Sequence, residues 1–181
     1  MLVVIILVVV VFGVTVIKLQ ERNRALNAQI PHLVQGESIE YFDLIDLDLG
    51  RINVTALKTG KPKFIFIFPR PCAPCSSNIL FWNRMAKMMT GRGEVFGILL
   101  GGPDEIARLS ESKKMHFKLY VPENPDLFQK KMRIQNTYAQ TILYHENEVK
   151  MIKMGDLEGS DFTNMLKEAR KLAKKSKEDA G

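Results

Sequence analysis

The order of apolar and polar residues divides most of the chain into short strands and amphipathic helices. Lys63–Phe68 ends in five consecutive apolar residues, a pattern typical of a strand that is buried on both faces. From Cys75 to Met89 the apolar residues recur at spacings of three and four, which predicts an amphipathic helix. The same criteria predict strands at Glu94–Leu100, Phe117–Val121, Thr141–His145 and Val149–Met154, and helices at Asp104–Lys114, at Asp126–Arg133 and from near Ser160 onward.

A β-hairpin is predicted ahead of these elements. Ile39–Leu47 and Arg51–Val54 flank a turn at Asp48-Leu49-Gly50. The elements then run in the order hairpin, β, α, β, α, β, α, β-hairpin, α. Alternating strands and helices imply parallel strands, and the late hairpin adds an antiparallel pair. The predicted fold class is therefore α/β, with a mixed β-sheet flanked by helices.

The first segment of the chain predicts a membrane anchor. No charged residue occurs before Lys18, and the run is near the short limit for spanning a bilayer. A basic region and an Ala-x-Ala-like cleavage site are both missing, so we expect an uncleaved transmembrane helix over residues 1–18. We assign residues 19–35 to a juxtamembrane linker, residues 36–170 to the domain and residues 171–181 to a basic tail.

Charge adds two expectations. Lys18, Arg22 and Arg24 follow the apolar segment, which by the positive-inside rule would leave the domain in the cytoplasm. The formal net charge is +6, and six basic residues against one acidic residue lie between Lys167 and Lys177. This stretch indicates either a solvated helix face or attraction to anionic lipid, and no motif predicts nucleic acid binding.

The chain has two cysteines, Cys72 and Cys75, three positions apart in Pro-Cys-Ala-Pro-Cys at the predicted strand-to-helix junction. The unpaired N–H groups of a helix N-terminus stabilise a thiolate and lower its pKa, and Arg70 adds to that effect. Two buried, inert thiols or half of a zinc site are the alternatives. Zinc takes about four nitrogen or sulfur ligands, and the chain offers three scattered histidines. Redox chemistry is favoured, and no metal site is predicted.

With this motif in place, the strand, turn, Cys-x-x-Cys, helix, later βα units and terminal hairpin resemble the thioredoxin fold over roughly residues 36–170. The N-terminal hairpin extension, the Lys58–Lys63 loop and the anchor resemble the TlpA/ResA-like branch. That resemblance implies a thiol–disulfide oxidoreductase held by a single span in the inner membrane, with its domain in the periplasm. It also implies reduction of exported proteins, as in cytochrome c or periplasmic dehydrogenase maturation, and a membrane electron donor. The only redox group implied is the Cys72–Cys75 disulfide.

The resemblance also implies roles for individual residues. Cys72 is the nucleophile and Cys75 the resolving thiol, while Pro74 stiffens the helix start and Ala73 leaves the approach open. Three positions depart from the family pattern. Pro71 replaces a tryptophan, Asn78 replaces a glutamate, and Ala139 (or Gln140 if the register slips) stands where the family has a cis-proline. We expect a trans peptide bond or an altered loop at that last position.

Two hypotheses follow for function. The intact Cys-Ala-Pro-Cys pair favours a thiol–disulfide oxidoreductase that acts on protein disulfides as a reductant. Asn78 and Ala139 favour a thioredoxin-fold binding or scaffold module whose cysteine pair is vestigial or binds metal.

Overall fold

A computed structural model describes residues 12–19, 33–39, 42–46, 51–53, 60–69, 75–102, 104–105, 114–134 and 138–178, with the backbone alone for residues 51–53, 75 and 76. The chain divides into two compact units, Met1–His32 and Leu33–Gly181. In the first unit, residues 12–19 are helical and their side chains are exposed. Within the described ranges, no helix has both the length and the apolar character needed to cross a bilayer. Residues 1–11 of the expected anchor lie outside these ranges.

The second unit contains a seven-stranded mixed sheet in the order β2-β1-β5-β4-β3-β6-β7. Strands β3, β4 and β5 are parallel to one another, whereas β6 and β7 pair antiparallel beside β3. The early hairpin joins the other side of the sheet, where β1 pairs antiparallel with β5. The strands are β1 Asp43–Ile45, β2 Arg51–Asn53, β3 Lys63–Phe68, β4 Glu94–Leu99, β5 Lys118–Pro122, β6 Gln140–His145 and β7 Glu148–Met154.

Three helices are described in this unit: α1 Cys75–Met89, α2 Pro125–Met132 and α3 Gly159–Glu178. Asn124 caps α2, because its side-chain oxygen accepts a hydrogen bond from the amide of Leu127 at 3.0 Å. Asp161 in the first turn of α3 reaches back to the amide of Glu158 at 3.1 Å, which is half of a capping box. Residues 171–178, which the sequence assigns to a tail, continue α3.

Strand β3 divides the core into two layers, because its side chains alternate between the two faces of the sheet. Phe64, Phe66 and Phe68 pack with residues of α1 and α3, whereas Ile65 and Ile67 pack with residues of α2. All six residues of β3 are buried. The unbroken apolar run therefore reflects helices on both faces, and the predicted mixed sheet flanked by helices is confirmed.

Most predicted elements agree with the structure to within one residue at each end, with two corrections. The first strand covers Asp43–Ile45 rather than Ile39–Leu47. Ile39 and Phe42 are buried in the core but lie outside the strand. The prediction was too long because it counted these apolar residues as part of the strand. Lys114, predicted to end a helix, lies in a turn with a positive φ of 44°. Residues 106–113 of that predicted helix lie outside the described residues.

Candidate active site

The candidate site lies at the edge of the sheet where β3 ends. Strand β3 ends at Phe68, and α1 begins at Cys75. Strand β6 is antiparallel to β3 with Gln140 opposite Ile67, so the start of β6 lies at the same edge. Ala139 directly precedes β6, and Gln140 is its first residue. Arg70, Pro71, Cys72, Ala73 and Pro74 lie outside the described residues, and of Cys75 only the backbone is described.

The first turn of α1 suits an anion. It contains no acidic residue. The partial positive charge of a helix N-terminus stabilises a nearby anion by typically about 0.3–1 kcal/mol. A thiolate at Cys75, or just ahead of it in the chain, would benefit from this field.

Asn78 is the predicted site residue whose surroundings the structure describes most fully. Its side chain is 0% exposed, and it makes two hydrogen bonds to backbone groups of the loop between β7 and α3. Its Nδ2 donates to the Gly155 carbonyl at 2.9 Å, and its Oδ1 accepts from the Leu157 amide at 2.7 Å. Asn78 therefore fastens the first turns of α1 to this loop, a role that requires both a donor and an acceptor.

Gly155 connects two of the predicted site positions. Its carbonyl accepts the bond from Asn78, and its amide donates to the Ala139 carbonyl at 2.7 Å. Its φ is +82°, a region that favours glycine. One residue thus links α1 to the chain just before β6. Sequence reasoning missed Gly155, although a glycine between a predicted strand and a predicted helix is a recognisable signal.

A carboxylate also approaches α1 from the same loop. The Ser77 hydroxyl donates to Asp156 Oδ1 at 3.2 Å, and both residues are exposed. The sequence has no acidic residue between Arg51 and Gly93, which predicts no acid close to the helix start. Asp156 is 79 positions from Ser77, so only the fold brings the two together.

Ala139 and Gln140 are both buried, at 0% and 1% exposure. Within the described part of the chain, Gln140 Oε1 has no hydrogen-bond partner. A buried acceptor without a partner costs free energy unless something donates to it. Gln140 Oε1, at the start of β6, is thus a hydrogen-bond acceptor without a described partner at the same edge of the sheet as the start of α1.

Trp82 fixes α1 against the sheet behind the site. Its indole N–H donates to the Thr141 hydroxyl at 2.8 Å, and both side chains are buried. The indole ring stacks on Phe66 at 4.8 Å between ring centroids and meets Phe68 edge-on at 4.7 Å. Trp82 is therefore part of the core.

The other notable ionisable groups lie away from this edge. Lys63 begins β3, at the opposite end of the strand, and pairs with Glu94 at 3.4 Å. Burial lowers the pKa of Lys63, and Glu94 only partly offsets it. His145 ends β6 and contacts the Ser176 hydroxyl at 2.9 Å. Among the described residues, no cluster of three His, Cys, Asp or Glu side chains could hold a metal ion.

The ion pair between Lys153 and Asp161 makes stability depend on pH. The two charged groups are 2.9 Å apart and their side chains are 33% and 26% exposed. Partial burial raises the pKa of Asp161, but bonds from Lys153 and the Glu158 amide and the charge of Lys153 outweigh this, so the pKa is lowered overall. The hydrogen bond to Asp161 raises the pKa of Lys153.

We expect Lys153→Met to lower the free energy of unfolding at neutral pH by about 0.3–1 kcal/mol, as for other exposed pairs. The contribution of Asp161 to the free energy of unfolding is present above the ordinary pKa of the carboxyl group and is lost as the pH falls through its lowered pKa. The contribution of Lys153 is lost only as the pH rises above its ordinary value. The difference in the free energy of unfolding between wild type and Lys153→Met, measured with urea, should therefore be smaller at about pH 3 than at about pH 7. A difference of the same size at both pH values would contradict this account.

Comparison with solved structures identifies the class of fold. No protein-family model matches the sequence, and no curated protein matches it. The thioredoxin domain of a thiol-disulfide oxidoreductase from Bacteroides vulgatus is similar, with a TM-score of 0.65 and 16% identity over 75% of this chain and 97% of that one. A thiol:disulfide interchange protein of the thioredoxin family from Chlorobium tepidum has a TM-score of 0.60 and 17% identity over 76% and 99%. BsSco, a member of the Sco family of cytochrome c oxidase assembly proteins, has a TM-score of 0.62 and 9% identity over 81% and 99%. The chain has a thioredoxin-like α/β fold.

Proposed function

We propose that this protein is a thiol–disulfide oxidoreductase in which Cys72 and Cys75 form the redox pair. The observation that carries the proposal is the position of Cys75 as the first residue of α1, one short connection after the buried strand β3. In a thioredoxin-like fold this junction is the place where a helix N-terminus can activate a thiol. Similarity to a thiol-disulfide oxidoreductase domain and to a thiol:disulfide interchange protein supports the proposal.

In the proposed reaction the Cys72 thiolate attacks one sulfur of a substrate disulfide. A new bond joins Cys72 to that sulfur, and the other substrate sulfur leaves as a thiolate. Cys75 then attacks the Cys72 sulfur, which releases the second substrate thiol and forms the Cys72–Cys75 disulfide. The substrate gains two electrons, and an external dithiol donor must return the pair to its reduced state before another cycle.

The described residues around α1 would support this chemistry by holding its first turns in place. Asn78 ties the helix to Gly155 and Leu157, and Gly155 in turn holds Ala139. The chain before β6 is therefore fixed relative to the helix that carries Cys75. Such fixed geometry reduces the reorganisation needed when a substrate disulfide approaches.

We further propose that residues 1–18 anchor the protein in the inner membrane, and that the domain acts on exported proteins in the periplasm and receives electrons from a membrane donor. The uncharged apolar run before Lys18 supports the anchor, and the TlpA/ResA-like resemblance supports the location. The basic residues that follow the run argue for the opposite orientation. A fusion of alkaline phosphatase to Gly181 should be active under this proposal. An inactive phosphatase fusion together with a fluorescent cytoplasmic reporter at the same position would contradict it.

A test of the redox function compares wild type with a variant in which Cys72 and Cys75 are both serine. Wild type should accelerate insulin reduction by dithiothreitol, because a low-pKa thiol exchanges faster than the free reagent. The variant should match the rate of dithiothreitol alone. Overlapping curves for the two proteins would reject the oxidoreductase proposal and favour the alternative below.

A binding or scaffold module is the alternative, favoured by two observations. Asn78 uses its donor and its acceptor on backbone groups and supplies no acid, and Ala139 stands where the resemblance implies a cis-proline. BsSco, which has a similar fold, belongs to a family of assembly proteins.

Ala139→Pro tests whether the chain before β6 pairs with a substrate. If the chain before β6 pairs with substrate, we expect this substitution to raise the rate of insulin reduction severalfold. The free energy of urea unfolding serves as the control, since proline also restricts the residue before it. An unchanged rate at unchanged stability would show that this segment is not a substrate loop.

A further inference from the structure

A concave pocket of about 240 Å³ lies between the C-terminal half of α3 and the turn that joins α1 to β4. At about 30 Å³ per water, its volume equals roughly eight water molecules. Four of the five residues that line it are basic: Arg92, Arg170, Ala173, Lys174 and Lys177.

The backbone brings these charges together from two separate elements. Arg170, Lys174 and Lys177 recur at spacings of four and three, so they lie on one face of α3. Ala173, the fifth lining residue, is buried and uncharged. Arg92 comes from the turn, where its amide donates to the Met89 carbonyl at 2.8 Å and Gly91 has a φ of +72°.

Among the described residues, little negative charge balances this pocket. Lys174 lies 3.6 Å from Glu178, and both side chains are largely exposed. Across the described ranges, no ion pair occupies Arg92, Arg170 or Lys177. Three of the four cations are thus available to an anion from outside the chain.

We propose that this pocket binds a phosphate group. Guanidinium groups present paired N–H donors that match phosphate oxygens, and ammonium groups add compact positive charge. The concave shape lets α3 and the Arg92 turn contact one anion from two sides. A soluble phosphate and the phosphodiester of an anionic lipid offer the same chemistry.

The pocket lies away from the candidate active site and does not depend on it. The start of β4, which follows Arg92, pairs with Lys63 at the start of β3. Ser176 in the last turns of α3 contacts His145, which ends β6 at that same side of the sheet. The start of α1 lies at the opposite side. A lipid headgroup in the pocket would therefore leave the start of α1 on the side away from the membrane surface.

Lysine acetylation of the full chain, read by mass spectrometry, tests the proposal. A bound phosphate stabilises the ammonium form, so it should slow acetylation of Lys174 and Lys177. We expect a reduction of about fivefold per lysine, as for a basic residue at an anionic surface. Lys171 and Lys175 lie on the same helix outside the pocket and serve as internal references. One arm titrates inorganic phosphate in a neutral detergent, and the other uses phosphatidylcholine bilayers with and without phosphatidylglycerol.

Two variants separate a specific pocket from general attraction. Arg92→Gln removes the cation supplied by the turn and should abolish the selective protection. Lys167→Gln removes one charge from α3 outside the pocket and should leave it intact. Protection by inorganic phosphate would support a soluble ligand, and protection by phosphatidylglycerol bilayers alone would support a lipid headgroup. Equal protection of all four lysines, no protection in either arm, or an unchanged pattern in Arg92→Gln would overturn the proposal.

Discussion

Replacing Cys72 with serine is expected to abolish the catalysed part of insulin reduction and to leave the rate of dithiothreitol alone. The reason is chemical, because the thiolate is the nucleophile in disulfide exchange and a serine hydroxyl does not ionise at neutral pH. The helix field at α1 acts on an anion and has nothing to stabilise in the serine variant. Turbidity of reduced insulin at neutral pH gives the rate directly.

Cys75→Ser is the matched variant, since it removes one sulfur from the same motif. This protein should still attack the substrate but should fail to resolve the product. A covalent adduct with the substrate should therefore accumulate on a non-reducing gel and disappear with excess dithiothreitol. If Cys72→Ser instead formed the adduct, the roles assigned to the two thiols would be reversed.

Asn78→Ala is expected to lower the free energy of unfolding by about 2–5 kcal/mol. The substitution leaves the buried Leu157 amide and the partly buried Gly155 carbonyl without their partner. Each unsatisfied buried group costs about 1–3 kcal/mol. This is a large share of the about 5–15 kcal/mol by which a domain is usually stable. Urea unfolding can be followed by the fluorescence of Trp82, the single tryptophan, which lies on α1 and is buried against β3 and β6.

Asn83→Ala provides the control for burial. Asn83 lies on the same helix and also contacts two backbone groups, the Lys114 carbonyl at 3.4 Å and the His116 amide at 2.9 Å. These bonds are exposed, so water can replace the side chain and the loss should stay below about 1 kcal/mol. Equal losses in the two variants would contradict the role assigned to the buried link between α1 and Gly155.

Much of the fold could be predicted because its elements have strong local signals. The apolar run of β3 requires cover on both faces, and the helical spacing of α1 fixes which side chains meet it. Polar residues at Glu146-Asn147 between two strand patterns likewise predict the hairpin of β6 and β7, and in the structure both have a positive φ. These signals lie within a few residues of the structure they specify.

The surroundings of the candidate site were harder to predict, because they depend on contacts between distant segments. Asp156 meets Ser77 and Gly155 meets Asn78 across more than seventy positions. Each of these contacts is made by a single pair of residues, so no periodic pattern in the sequence predicts it. The basic pocket was anticipated in part, since the charges of α3 are visible in the sequence, but the contribution of Arg92 follows from the fold alone.

Strand β7 ends the described sheet, and its outer border has a consequence for how the molecule behaves at high concentration. An unprotected border of this kind can recruit a strand from a neighbouring copy and begin an aggregate. Here the Gly36 amide donates to the Val149 carbonyl and the Val149 amide donates to the Glu37 carbonyl, both at 2.8 Å, so this segment covers part of the border. A register shift opposite Leu143 and Tyr144 also breaks the regular ladder of the strand. Both features discourage intermolecular pairing, so changes that detach Gly36 and Glu37 from Val149 should make the protein more prone to self-association.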